Sequence, residues 1–317
     1  MRIFIFFLAV IFLLNPEANG EEKLKRTLAG KDLRKENLRS INFSGANLRG
    51  ANLSGLDLTD AKFRGADLRE AYLREVTAIR ADFEGANLGN ADLTRANLLN
   101  ANLRGALLSL AKMDGATLSG MEASGAFLPG ASAVKALGVN ANFSGAFMPD
   151  VDLRQANFKG ANFQNADLGG RFLGQPGPHG SRLQGVDLSY ANLAGANLTN
   201  AKMSEAILTG INLRKARLGS ADMSWVKATG ADFSGANLSW TLGYGGQMYG
   251  AKFLGAQLIL TQFTGASLKE ADFSGAMIEY ADLSHTKLGG AKFKGAQLQN
   301  VNFQNSKNAP KILKGRE

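Results

Sequence analysis

The sequence predicts an all-β fold, a coiled solenoid whose backbone bends once every five residues. Three observations predict it. Large apolar residues recur at that interval from Leu33 through Leu38, Phe43 and Leu48 to Phe303, and 48 of the 55 positions in this phase are Leu, Phe, Met or Ile. Two residues before each stands a small one, with Ala at 37 of the 53 positions from Ile41 to Val301. Neither regular element accepts the period. Five steps turn an α-helical position by about 140° and scatter the apolar set around the cylinder. In a flat strand five is an odd number, so successive Leu residues fall on opposite faces. A chain that turns a corner after each group of five points every Ala and Leu at one shared axis.

Units such as "ANLRG", "ADLRE", "ADFEG" and "ANLLN" resemble the A(D/N)LXX pattern of the pentapeptide-repeat proteins, over about residues 31 to 305. The resemblance implies a right-handed quadrilateral β-helix, with four five-residue sides to each 20-residue coil. "AFLPG" at Ala126 to Gly130 and "AFMPD" at Ala146 to Asp150, 20 residues apart, agree with that coil length. At the inter-strand spacing of about 4.8 Å, roughly 14 coils give a rod about 65 Å long, with a narrow Leu and Phe column inside.

Residues 1–20 come first: Arg2, a twelve-residue apolar run from Ile3 to Leu14, then small and polar residues. Twelve is too few to span a bilayer of about 30 Å. Ala18 and Gly20 suit a signal-peptidase site, so cleavage after Gly20 is expected. The alternative is an uncleaved anchor; in either case the rod leaves the cytoplasm, for a periplasm, a lumen or the exterior, and no transmembrane span is expected. Residues 21–32 read as a cap segment, 33–305 as the repeat rod, and 306–317 as a basic tail.

Within the rod, residues 121–140 read as a weak coil, because Ala123, Ala133 and Gly138 stand where a large residue is due. "SAVKALGV", Ser132 to Val139, also fits a short helix. Residues 171–182 read as a loop or distorted coil, since Pro176 and Pro178 replace an Ala and a Leu.

The rod carries no recognisable catalytic chemistry. There is no Cys, which excludes disulfides and thiolate metal sites. The two His, His179 and His285, lie too far apart along the rod to share a metal or a triad. The recurring Asp and Asn before each core residue read as scaffold, bonding local backbone at the corners. The Gly-rich "TLGYGGQMYG" lacks a phosphate-cradle pattern. A non-enzyme without cofactors is expected.

Charge and surface departures carry what functional signal there is. The net charge of +9 concentrates at the ends. Residues 21–80 hold 13 Lys and Arg against 9 acids, and residues 285–317 hold 7 against 1. Arg49, Arg69, Lys287, Lys292 and Lys294 are candidate anion contacts, or else charges that discourage end-to-end polymerisation. Leu107, Phe127 and Phe147, 20 residues apart where Asn or Asp is usual, predict an exposed apolar stripe with Pro129 and Pro149 alongside, or else a slipped stretch with its rings turned in. Trp240, Leu260 and Tyr280 form a second column, read as a partner surface or as side chains stacking on one another.

The leading expectation is an exported, non-enzymatic interaction scaffold, monomeric or weakly dimeric, for an unknown protein or surface. Two alternatives stand beside it. One is electrostatic binding of an anionic glycan or nucleic acid. The other follows from the resemblance, since some members are shaped and charged like duplex DNA and bind type II topoisomerases. This chain departs from those members in its basic charge, its leader segment and the lack of a long apolar tail after Phe303.

Overall fold

The computed structural model describes residues 28–170 and 180–309. The same unit recurs throughout. One residue of each five bridges in parallel to the residue one coil away, and two residues form a turn. The turn closes with the core residue's carbonyl accepting from the N–H three residues on, as Phe43 accepts from Ala46 at 2.9 Å. Its third residue is left-handed, with Gly45 at φ 68° and Asn90 at φ 58°. A positive φ at that place is the type II pattern, which is why the fifth position is so often Gly.

Four ladders result, and they make the rod four-sided. Face one runs through fourteen rungs from Asp32 to Asn302, face two from Asp57 to Lys307, face three from Asn42 to Lys292, and face four from Asn47 to Gln297. Three-residue strands occur only on face four among the described residues: β1 (Gln257–Ile259), β2 (Met277–Glu279) and β3 (Gln297–Gln299), parallel and in register. Elsewhere each side contributes a single bridged residue. The expected β-helix is thus what the chain forms.

The core column beneath face three stacks its rings coil on coil. Phe43, Phe63 and Phe83 follow at 5.3 and 4.8 Å, and Phe233, Phe253 and Phe273 at 5.0 and 4.7 Å. The small residues expected to weaken residues 121–140 do not interrupt the ladder. Ser132 bridges Asp152, Leu137 bridges Asn157, and Lys135 holds the left-handed corner at φ 58°, so "SAVKALGV" is coil and not helix. The reason is complementary packing. A Cβ at Gly138 would collide with the Phe158 ring, and one at Gly243 with the Phe263 ring; the ring one coil on, on the same side, fills the space that the glycine vacates.

The rod is also longer than the boundaries read from the sequence. Leu28 N–H already donates to Asn47 O at 2.7 Å, and Lys307 still bridges Lys287. At the break the ladder offset changes from 20 to 30 residues. Asp152 bridges Arg182, Asn157 bridges Asp187, Asn162 bridges Asn192 and Asp167 bridges Asn197. Ten residues are thereby left out between Gly170 and Ser181. Regular coil resumes at Ser181 and Arg182, inside the stretch read as distorted, while Pro176, Pro178 and His179 lie outside the described residues, as do 1–27 and 310–317.

Candidate functional site

The Asp or Asn before each core residue is spent on scaffold. Its side-chain oxygen accepts from the N–H two residues on, as Asn42 does from Ser44 at 3.0 Å and Asp57 from Thr59 at 2.9 Å. On face three these amides also join coil to coil. Asn142 donates to Glu122 at 2.9 Å, Asn162 to Asn142 at 3.2 Å, Asn192 to Asn162 at 3.3 Å and Asn212 to Asn192 at 2.9 Å. That side-chain ladder passes the break without interruption.

Ion pairs take up the described arginines other than Arg217. Arg49 meets Glu70 at 2.7 Å and Arg69 meets Asp67 at 2.6 Å. The hydrogen bond to Arg69 draws the Asp67 carboxyl below the usual carboxylate range. The two arginines share an edge, as the 20-residue spacing predicts, and each has a carboxylate beside it. Arg154 and Arg182 both reach the buried Asp152, at 2.8 and 2.9 Å, the second across the break. Among the described residues every ion pair is made by Arg, so Lys287, Lys292 and Lys294 stand in none.

Leu107, Phe127 and Phe147 are successive rungs of face four and point outward. Leu107 is 43% exposed, while Phe127 and Phe147 are half-buried, their rings stacked at 5.1 Å. Pro129 and Pro149 are buried at the adjoining corner and present no surface. Trp240 and Tyr280 are 61% and 52% exposed, with Leu260 half-buried between them. All three occupy the left-handed corner position, at φ 64°, 52° and 57° in that order.

The altered offset makes one edge of these two groups. Leu110, 57% exposed, sits at the corner that follows Leu107, between faces four and one. With the 30-residue step at the break, this is the corner that later carries Trp240, Leu260 and Tyr280. A strict count of 20 puts those three on the opposite edge, so the sequence alone separates what the fold aligns. Trp225, 63% exposed, lies one side away, with its ring over Gly245, and Tyr190 lies over Gly210 on a third edge. No group of three or more His, Cys, Asp or Glu able to hold a metal occurs among the described residues. Nor is any helix there long and apolar enough to cross a membrane.

The pentapeptide-repeat model matches this chain over residues 37–109, 139–170 and 181–307. The chain belongs to the pentapeptide-repeat family. The unmatched stretches include the coil with small core residues and the ten residues left out of the ladder. No curated protein matches. Among solved structures, the pentapeptide-repeat protein HetL, involved in heterocyst differentiation regulation in the cyanobacterium Nostoc sp. strain PCC 7120, is 28% identical. The match covers 84% of this chain and 90% of HetL, with a TM-score of 0.29. QnrB1, a plasmid-mediated fluoroquinolone resistance protein, is 18% identical over 68% of this chain and 90% of its own, at a TM-score of 0.31. A pentapeptide-repeat protein of the Arabidopsis thaliana thylakoid lumen is 33% identical, over 28% of this chain and 62% of its own, with a TM-score of 0.23.

Proposed function

We propose that this pentapeptide-repeat protein is an exported, non-enzymatic scaffold that docks a protein partner along the edge between faces four and one. The alignment of Leu107 and Leu110 with Trp240 and Tyr280 carries this reading. Large apolar and aromatic side chains on a rigid rod give contact area at little cost in ordering. Photo-crosslinkers at Leu110 and at Trp240, in the compartment where the protein resides, are expected to yield the same adduct. One at Asn212 on face three is expected to yield none. Equal adducts from all three positions, or none from the edge, defeat the reading. Export has its own test: the mature protein should begin at Glu21, and a mass that retains Met1 rejects cleavage.

Topoisomerase binding is the second reading. A net charge of +9 is the wrong sign for imitating DNA, and the mature rod is expected to leave gyrase supercoiling unchanged. Electrostatic attachment to an anionic glycan or nucleic acid is the third. An incoming anion would compete with Glu70 and Asp67 for Arg49 and Arg69, and abolition of binding by moderate salt is its signature.

A further inference from the structure

The two ends of the rod are built differently. At the N-terminal end Leu33, Leu38 and Phe43 are 3%, 2% and 1% exposed. At the other end Phe293, Leu298, Val301 and Phe303 are only half-buried. The backbone is open there too. Phe273, Gly275, Leu283 and His285 donate their N–H groups one coil onward, to the carbonyls of Lys292, Lys294, Asn302 and Gln304, at 2.8 to 2.9 Å. Phe293, Gly295, Phe303 and Asn305 hold the same places in the last coil, and among the described residues no acceptor meets them. The carbonyls of Ala271 and Ala281 receive the N–H groups of Lys292 and Asn302 at 2.9 Å, whereas those of Ala291 and Val301 receive nothing among the described residues. Donors and acceptors thus alternate around an apolar floor, which is the template for strand addition.

The last coil carries charge of one sign: from Leu288 to Ala309 there are three Lys and no Asp or Glu, and Lys287 adjoins it, while Glu270, Asp272, Glu279 and Asp282 lie in the coil beneath, Asp272 bridging Lys292. Lys287, Lys292, Lys294 and Lys307 are all exposed and in no ion pair among the described residues. Lys287 and Lys307 are ladder partners, like charges stacked directly, which is unfavourable unless a counter-charge meets them. A second copy docked end to end meets these lysines with its own. In the N-terminal coil Arg34, Arg39 and Arg49 are paired with Asp32, Asp57 and Glu70, which leaves Lys31 and Lys35 against Glu36, and residues 310–317 offer Lys311, Lys314 and Arg316 against Glu317. Each of these occupants is repelled.

We propose that the open end accepts an acidic extended segment of another polypeptide. The segment adds a rung by backbone hydrogen bonding, lays apolar side chains on Phe293, Leu298 and Phe303, and sets carboxylates over Lys292 and Lys307. Backbone bonds and apolar contact supply affinity, and the lysines choose the sign of the partner. This reading is independent of the docking edge between faces four and one.

The test titrates the whole protein into a fluorescent 20-residue peptide of four Ala-Asp-Leu-Ser-Gly units, followed by anisotropy. The comparison peptide carries Lys in place of Asp, and inorganic polyphosphate serves as competitor. The acidic peptide is expected to bind, to protect the Phe293 and Phe303 amides from hydrogen exchange, and to outbind the lysine peptide. The double variant K292E/K307E should weaken the acidic peptide by about tenfold, about 1.4 kcal/mol, and gain affinity for the lysine peptide. Failure of both peptides to bind, equal binding of the two, or binding that polyphosphate displaces and that leaves those amides unprotected overturns the proposal. In the first two cases the lysines guard the edge against pairing. In the third they form a simple anion site.

Discussion

The position two residues before the core residue faces the interior, and what it holds decides local stability. Thr241 and Thr261 sit there fully buried and donate to Leu218 O and Leu238 O at 2.8 and 2.9 Å. Ser181 is as deeply buried, and its Oγ meets no partner among the described residues. An unsatisfied buried hydroxyl costs about 1–3 kcal/mol. Ser181→Ala is therefore expected to raise the denaturation midpoint by the equivalent of about 1 kcal/mol, whereas Thr241→Ala lowers it, both read from urea titrations. The corner residues give a second expectation. Trp240 holds φ 64°, a conformation costing an L-residue about 1–2 kcal/mol, while glycine brings back about 0.5–1 kcal/mol of chain entropy. Trp240→Gly should leave the rod equally stable or up to about 1 kcal/mol more so, yet weaken the adduct formed from the crosslinker at Leu110; a clear loss of stability means that the indole is structural.

At the scale of the coil, side-chain and backbone ladders act together. Asn162 accepts from Gln164 N–H at 3.0 Å, donates to Asn142 and accepts from Asn192. Asn162→Ala removes all three bonds and is expected to cost about 1–2 kcal/mol in a chemical melt, more than Asn87→Ala, whose oxygen caps only Gly89. The element scale was legible in the sequence in uneven measure. The core from Leu33 to Phe303 and the Asx caps followed from the period, because every unit repeats the same local physics. Three things were not legible. Leaving out ten residues leaves a five-residue phase unchanged, so nothing in the spacing of Leu168 and Leu183 reveals the 30-residue step. The exposure of Leu107 over the half-buried Phe127 and Phe147 depends on stacking with neighbours that one unit cannot announce. The arginine pairs were hidden for the same reason, since Arg49 and Glu70 lie 21 residues apart.

For the whole molecule, Gly170 already donates to Thr199 O at 3.1 Å, and Asp152 already bridges Arg182. Joining Gly170 directly to Ser181 writes "ADLGGSRLQG", an unbroken pair of repeats. Deletion of residues 171–180 is thus expected to preserve the far-ultraviolet spectrum and a single cooperative melt; loss of cooperativity would show that the segment holds the two halves together. Acid should act on the molecule through its carboxylates. The Asp32 carboxyl is held at about 2, chiefly by the hydrogen bond from Arg34, and the Thr59 hydroxyl holds that of Asp57 low. A depressed folded value stabilises above the unfolded one, about 3.9, and that contribution disappears as pH falls toward the folded value. Melting temperature is expected to stay level from pH 8 to 5 and to drop between about pH 4 and 2; a decline already present at neutral pH contradicts this.

The ten omitted residues also set the clocking of the rod. Ten is half a coil, so winding them in would rotate everything from Ser181 onward by half a revolution relative to Leu28 through Gly170. Trp240 and Tyr280 would then look away from Leu110, toward the azimuth of Asn100 and Asn140. Keeping the segment outside the winding is what gives both halves of the molecule a common front.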